Sequence, residues 1–160
     1  MPYIPPVAAV ASKGQSGARA ALGISTFPLA SPPVYNYIVE LKTLKVNGLT
    51  VPEINLSQLN SPNNTEEFAP GMNKPGTIQF TGNYIGDATQ VQISTLINSA
   101  NGANNLGYIV TGGVQQNTKT YTNSGIGYFS KYEVGPFENG KAVEITGEIQ
   151  VSGTMNEAVA

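Results

Sequence analysis

The stretch from Lys141 to Ser152 alternates with a period of two. Val143, Ile145, Ile149 and Val151 fall on one side, and Glu144, Thr146, Glu148 and Gln150 on the other. Successive side chains of a strand point to opposite faces, so this pattern fits a half-buried strand and not a helix. Thr77–Ile85 repeats it, with Ile78, Phe80, Gly82 and Tyr84 opposite Thr77, Gln79, Thr81 and Asn83. In Val34–Lys45, Tyr35, Tyr37, Val39 and Leu41 alternate with Asn36, Glu40 and Lys42, which predicts a further strand. The 18 Gly and 11 Pro are spread between such stretches, where they end elements instead of extending them.

Other segments follow the same logic. Leu49–Leu59 is extended, with Val51, Ile54, Leu56 and Leu59 apolar. Leu106–Thr111 predicts a short strand, and Gly112-Gly113 a turn or bulge. Thr118–Thr122 and Gly127–Val134 read as two strands broken at Ser124-Gly125. Asn139-Gly140 is the strongest hairpin signal. A single helix stands out. Asp87 can cap it, Gln90 has capping-box spacing, and Ile93, Leu96, Ile97 and Ala100 form one apolar stripe. Asn101-Gly102 would stop it. The expected fold is mainly β, with one helix covering a sheet face.

Composition removes most chemistry. The chain has 160 residues, enough for one domain, and contains no Cys, His or Trp. That leaves no disulfide, thiolate nucleophile or imidazole base. Arg19 is its single arginine, so bidentate phosphate recognition is not a theme. Glu66-Glu67 is the only acidic doublet, and adjacent strand-like residues diverge instead of flanking a cleft. Gly112-Gly113 and Gly125-Ile126-Gly127 lack the Lys-Ser/Thr of phosphate loops. The expectation is a protein that is not an enzyme and binds no cofactor or metal. Charged residues make up 11% of the chain, against roughly 25% in soluble proteins. Such a surface favours association. No apolar run approaches the roughly 18 residues of a membrane span, so insertion is not expected.

Two segments carry the organisation. Residues 1–33, with Pro2, Pro5, Pro6, Pro28, Pro32 and Pro33, read as an extended arm. Residues 60–76 read as a long loop with Phe68 and Met72 in polar surroundings. Long loops inside compact domains usually have a role. Its apolar residues would anchor either in their own subunit or in a neighbour. The body spans 34–153, and 154–160 reads as a frayed tail.

The run Val51-Pro52-Glu53-Ile54-Asn55-Leu56-Ser57-Gln58-Leu59-Asn60-Ser61-Pro62 resembles the early segment of lambda-type phage tail tube proteins. Glu67-Phe68-Ala69-Pro70-Gly71-Met72, followed by Pro75–Tyr84, resembles the loop-to-strand passage of that family. The capped helix, the strand at Gly127–Phe129 and the closing strand to Gly153 occur in the family's order, while the proline-rich start departs from it. The resemblance implies a β-sandwich-like subunit whose sheets join across six copies into a ring-shaped β-barrel. Rings would stack into the tail tube of a long, non-contractile-tailed phage. It also implies a late structural virion protein, made in the host cytoplasm, that conducts DNA during ejection. Tape measure, tail terminator and distal tail proteins would be its partners. The inter-ring loop maps onto 57–76, with Phe68, Pro70, Gly71 and Met72 as contacts. Either of two polar faces could line the lumen: Glu144, Thr146, Glu148 and Gln150, or Thr77, Gln79, Thr81 and Asn83. The alternatives are the tube of a secretion or contractile injection system, and a surface adhesion or decoration module.

Overall fold

A computed structural model of the chain describes residues 20–26, 31–58, 62–98, 105–114 and 120–160. Its strands are β1 (Ala21–Thr26), β2 (Asn36–Tyr37), β3 (Leu41–Asn47), β4 (Glu53–Asn55), β5 (Phe68–Pro70), β6 (Thr77–Asn83), β7 (Asn105–Val114), β8 (Thr120–Val134) and β9 (Glu144–Val159). Helix α1 spans Ala88–Asn98. Seven strands form one antiparallel sheet in the order β2-β1-β7-β8-β9-β6-β3, and β4 and β5 form a separate ribbon.

Strands β2 and β3 are the opposite edges of this sheet, yet only Ile38, Val39 and Glu40 separate them in sequence. Four residue steps reach at most about 14 Å. A flat seven-stranded sheet is roughly 29 Å wide at ~4.8 Å per strand. The sheet must therefore curl until its edges approach, and β1 does contact β3. This geometry corrects the expectation of one strand over Val34–Lys45. The chain breaks at Glu40, which takes a left-handed φ of 60°, and then crosses from one edge to the other. Gly82 admits the crossing. A Cβ there would stand 2.7 Å from the Glu40 carbonyl oxygen.

The inner faces of the two halves meet in one core. Leu22, Ile24, Leu106, Tyr108 and Val110 come from one half, and Ile78, Phe80, Phe129, Ile145, Ile149 and Val151 from the other. Helix α1 closes the core with Ile93 and Leu96, as its stripe predicts. Asp87 caps it, its Oδ2 accepting from Thr89 N at 3.1 Å. Gln90 is buried and reaches further back than a capping box requires. Its Oε1 accepts from Ile85 N and Gly86 N, and its Nε2 donates to the Asn83 carbonyl. Ala100 and Asn101-Gly102 lie outside the described residues.

Strands β8 and β9 run through both halves, and bulges let them bend. Their register shifts between Ser124 and Ile126 and between Phe129 and Lys131. The expected break at Ser124-Gly125 is instead continuous strand, because β7 pairs through it, Gly125 opposite Tyr108. Gly112-Gly113 does coincide with a bulge in β7. The expected frayed tail is also corrected: β9 continues to Val159, which pairs with Tyr121. Within the expected arm, Ala21–Thr26 is a sheet strand between β2 and β7, while residues 1–19 and 27–30 lie outside the described set. Asn139-Gly140 forms the turn between β8 and β9, with Gly140 at φ 79°.

Candidate functional site

Pairing of β6 with β9 sets Thr77 against Gln150, Gln79 against Glu148, Thr81 against Thr146 and Asn83 against Glu144. The two polar rows that the sequence offers as alternatives are therefore one continuous face, the side of the sheet away from the core. Strand β3 extends it with Thr43, Lys45 and Asn47, paired with Thr81, Gln79 and Thr77. Strand β8 extends it on the other side with Ser130, Lys131 and Glu133, exposed beside β9.

Cross-strand hydrogen bonds hold this face in place. Glu148 accepts from Gln79 Nε2 at 2.7 Å and from Ser130 Oγ at 3.0 Å. Thr43 and Thr81 hydroxyls meet at 2.6 Å, and Asn47 Nδ2 donates to Thr77 Oγ1 at 2.9 Å. Gln150 Nε2 donates to the Gly76 carbonyl at 3.2 Å. Glu144 pairs with Lys42, and Glu133 with Lys131 at 3.2 Å. Lys42, Lys45 and Lys131 stand against Glu40, Glu133, Glu144 and Glu148, so the face is near neutral with a slight acidic excess. An open trough of ≈ 430 Å³ runs along it between Lys45 and Lys131. Sequence reasoning missed Lys45, Ser130 and Lys131. The bulge at Phe129/Lys131 breaks the alternation that would have revealed the last two.

This four-stranded half-sheet has two open edges. Among the described residues, strand β3 has no strand partner beyond it, and β7 pairs with β8 only as far as Tyr128. Phe129–Val134 thus presents an unpaired side among the described residues. Open edges of this kind are templates for further strand pairing.

Of the segment 57–76, expected as a loop, Phe68–Pro70 is the returning strand of the ribbon, and residues 59–61 lie outside the described set. Asn55 pairs with Phe68, Ile54 with Ala69 and Glu53 with Pro70. Gly71 N donates to the Pro52 carbonyl at 2.7 Å, and Leu56 N to the Glu67 carbonyl at 2.8 Å. Strand alternation places Phe68, Pro70 and Met72 on one face of the ribbon and Gly71 on the other, against Pro52 and Ile54. Phe68 is 52% exposed and Met72 88% exposed, so the structure does not bury them within their own subunit.

Among the described residues, the buried titratable groups do not gather into a reactive site. Tyr108 donates to Asn123 Oδ1 at 3.0 Å inside the core, and burial pushes its hydroxyl up to about 12. No cluster of potential metal ligands occurs among the described residues. No described helix is long and apolar enough to cross a membrane.

A curled antiparallel sheet with a flanking helix and a protruding ribbon is the fold of tail tube proteins. Solved structures share it across nearly the whole chain. A chain in the tail of an empty gene transfer agent particle, refined with C6 symmetry, matches with TM-score 0.67 at 12% identity, covering 91% of this chain and 99% of that one. A chain of the six-fold symmetrised anti-feeding prophage baseplate matches with TM-score 0.67 at 10% identity, covering 92% and 97%. The SPP1 tail tube matches with TM-score 0.63 at 18% identity, covering 90% of this chain and 78% of that one. No protein-family model and no curated protein sequence matches the chain.

Proposed function

We propose that this chain is the structural subunit of a phage tail tube of the long, non-contractile, lambda-like type, and that it has no catalytic activity. The observation that carries the reading is the polar-faced half-sheet with open edges at both sides, β3 and the end of β8. Pairing β3 of one copy with the β8 end of the next would propagate laterally and bury both edges. Six copies would give a barrel of about 24 strands, beyond the 16–18 strands that already leave an aqueous channel. The C6 symmetry of the gene transfer agent tail supports that copy number.

The polar face would then line the lumen. Basic walls bind DNA through counterion release. Here Lys42 and Lys131 are paired with glutamates, and Glu148 is fixed by Gln79 and Ser130, so the wall offers a passing polyanion little net attraction. The ribbon would reach the adjacent ring. In this reading the protein is made in the host cytoplasm and resides in the virion tail, with tape measure, terminator and distal tail proteins as partners.

A second reading, the tube of a secretion or injection system, is favoured by the equal likeness to the anti-feeding prophage baseplate. A neighbouring gene for a very long tape measure protein would favour the phage tail. Negative-stain microscopy of the purified chain tests the common core of both readings. Rings or tubes are expected, and a stable monomer at high concentration would sink it.

A further inference from the structure

The C-terminal part of β9 runs past β6 and forms an edge of its own. Strand β6 pairs with β9 no further than Gln150, and Val151 N donates to the Gly76 carbonyl just beyond. Residues 152–159 pair only with β8 among the described residues. Thr120 and Ala160 exchange both backbone hydrogen bonds, at 2.7 and 3.2 Å. In an antiparallel pair such residues alternate with residues whose backbone groups turn away. The N–H and C=O of Ala158 therefore point to β8, and those of Glu157 and Val159 point outward.

Sheet edges are guarded by brevity, charge, proline or a covering element. Strand β2 has two residues, and β3 carries Lys42 and Lys45. Residues 152–159 hold no proline and one charge, Glu157. The chain itself has a segment that fits this edge. It enters the sheet at β1, where Ala21 stands in one row with Thr111, Thr122 and Ala158 across four strands. A strand added beyond β9 would lie four spacings from β1, roughly 19 Å at ~4.8 Å each. The steps from Ala20 back to Lys13 reach up to about 25 Å. Residues 7–13 are the longest run within 1–19 that lacks both Pro and Gly, and they match residues 153–159 in length. Lys13 carries the charge opposite to that of Glu157.

We infer that residues 7–13 add to this edge of their own copy as a further strand, bonded to the outward backbone groups of Glu157 and Val159. Strand β1 runs antiparallel to β9 through three antiparallel pairings, so a segment that turns into β1 across the end of the sheet runs parallel to β9. The addition covers the weakly guarded edge and leaves β3 and the end of β8 as the long free sides of the sheet. It goes beyond the tube reading and does not depend on it, since it concerns the single subunit.

Amide hydrogen exchange on dispersed full-length subunits tests this residue by residue. The Glu157 and Val159 amides should be protected in the full chain. Their exchange should speed up by about tenfold or more in Val10→Pro, which removes a donor from the added strand, and in a chain begun at Gly14. The Ala158 amide, bonded to β8, should stay protected in all three. Free exchange of Glu157 and Val159 in the full chain overturns the inference. Protection that survives both changes overturns it too, because another element then covers the edge. Protection that appears only as concentration rises assigns the cover to a second copy and overturns the assignment to the same one. Loss of protection at Ala158 together with the other two shows a segment that the whole fold requires, and overturns a cap added to a finished sheet. Rings or tubes by microscopy decide the tube reading separately.

Discussion

The Phe80 ring lies directly across Gly147 on the neighbouring strand. A Cβ at Gly147 would stand 2.3 Å from Phe80 Cζ and 2.6 Å from Cε1. The two residues are paired between β6 and β9, and the Phe80 ring also meets Phe129 in a T-shaped contact, with centroids 6.3 Å apart at 76°. The aromatic fills the space a side chain at position 147 would need.

Gly147→Ala should therefore destabilise the subunit by about 1–3 kcal/mol, the cost of overpacking a filled core. Phe80→Leu alone should cost about 1–2 kcal/mol for lost apolar volume. The two substitutions together should cost less than their sum, since the smaller side chain on β6 frees the space that the added methyl group on β9 needs. Urea denaturation of the four-member cycle measures this coupling, and strict additivity would contradict the contact.

Phe68→Ala should weaken stacking of rings and leave the melting temperature of dispersed subunits within about 1–2 °C, because its ring is half exposed and contributes little to the local core. Microscopy of assembly and calorimetry of subunits separate the two effects. A large drop in subunit stability would return Phe68 to its own fold.

Glu148→Lys places a third cation beside Lys45 and Lys131 along the trough. The site is half-buried and the change removes the acceptor of Gln79 and Ser130, so the subunit should lose about 1–2 kcal/mol of stability. Assembled tubes of the variant should bind DNA measurably at low salt and release it as salt rises, whereas wild-type tubes should not. Ejection should slow in parallel for both Glu148→Lys and Glu144→Lys. Unchanged ejection with intact tails would remove this face from the lumen.

Tyr108 gives an alkaline signature. Its hydroxyl is pushed from 10.0 to about 12 by burial first and by Tyr121 second. The folded state holds this proton more tightly than the unfolded one. The associated stability is full below about pH 10 and is lost as pH rises towards 12, by about 2–3 kcal/mol in all. Tyr108→Phe should remove most of this alkaline loss. It should cost about 1 kcal/mol near neutrality, where Asn123 loses its donor. Denaturation midpoints at about pH 9 and pH 11 for both proteins check the sign.

Gln90→Ala should cost about 2–3 kcal/mol, more than an ordinary helix substitution, because Ile85 N, Gly86 N and the Asn83 carbonyl all lose a partner. Thermal melting measures it, and Gln90→Glu should recover only the accepted bonds.

Local patterns were legible because period-two alternation and capping chemistry act over a few residues. Lys141–Ser152, Thr77–Ile85 and the Asp87-capped helix could be read without knowing what they pack against. Sequence alone also determined the absence of His and Cys, and with it the want of an imidazole base and a thiol nucleophile. Tertiary structure decided the rest. Whether Val34–Lys45 is one strand or two depended on the sheet curling until its edges met. Whether Ser124-Gly125 breaks a strand depended on Tyr108 lying opposite. Two polar rows became a single face only through the register of β6 on β9. Exposure of Phe68 and Met72 followed from a ribbon that leaves the sheet. Each of these outcomes rests on contacts between residues distant in the chain, and alternation along one strand carries no information about which strand lies beside it.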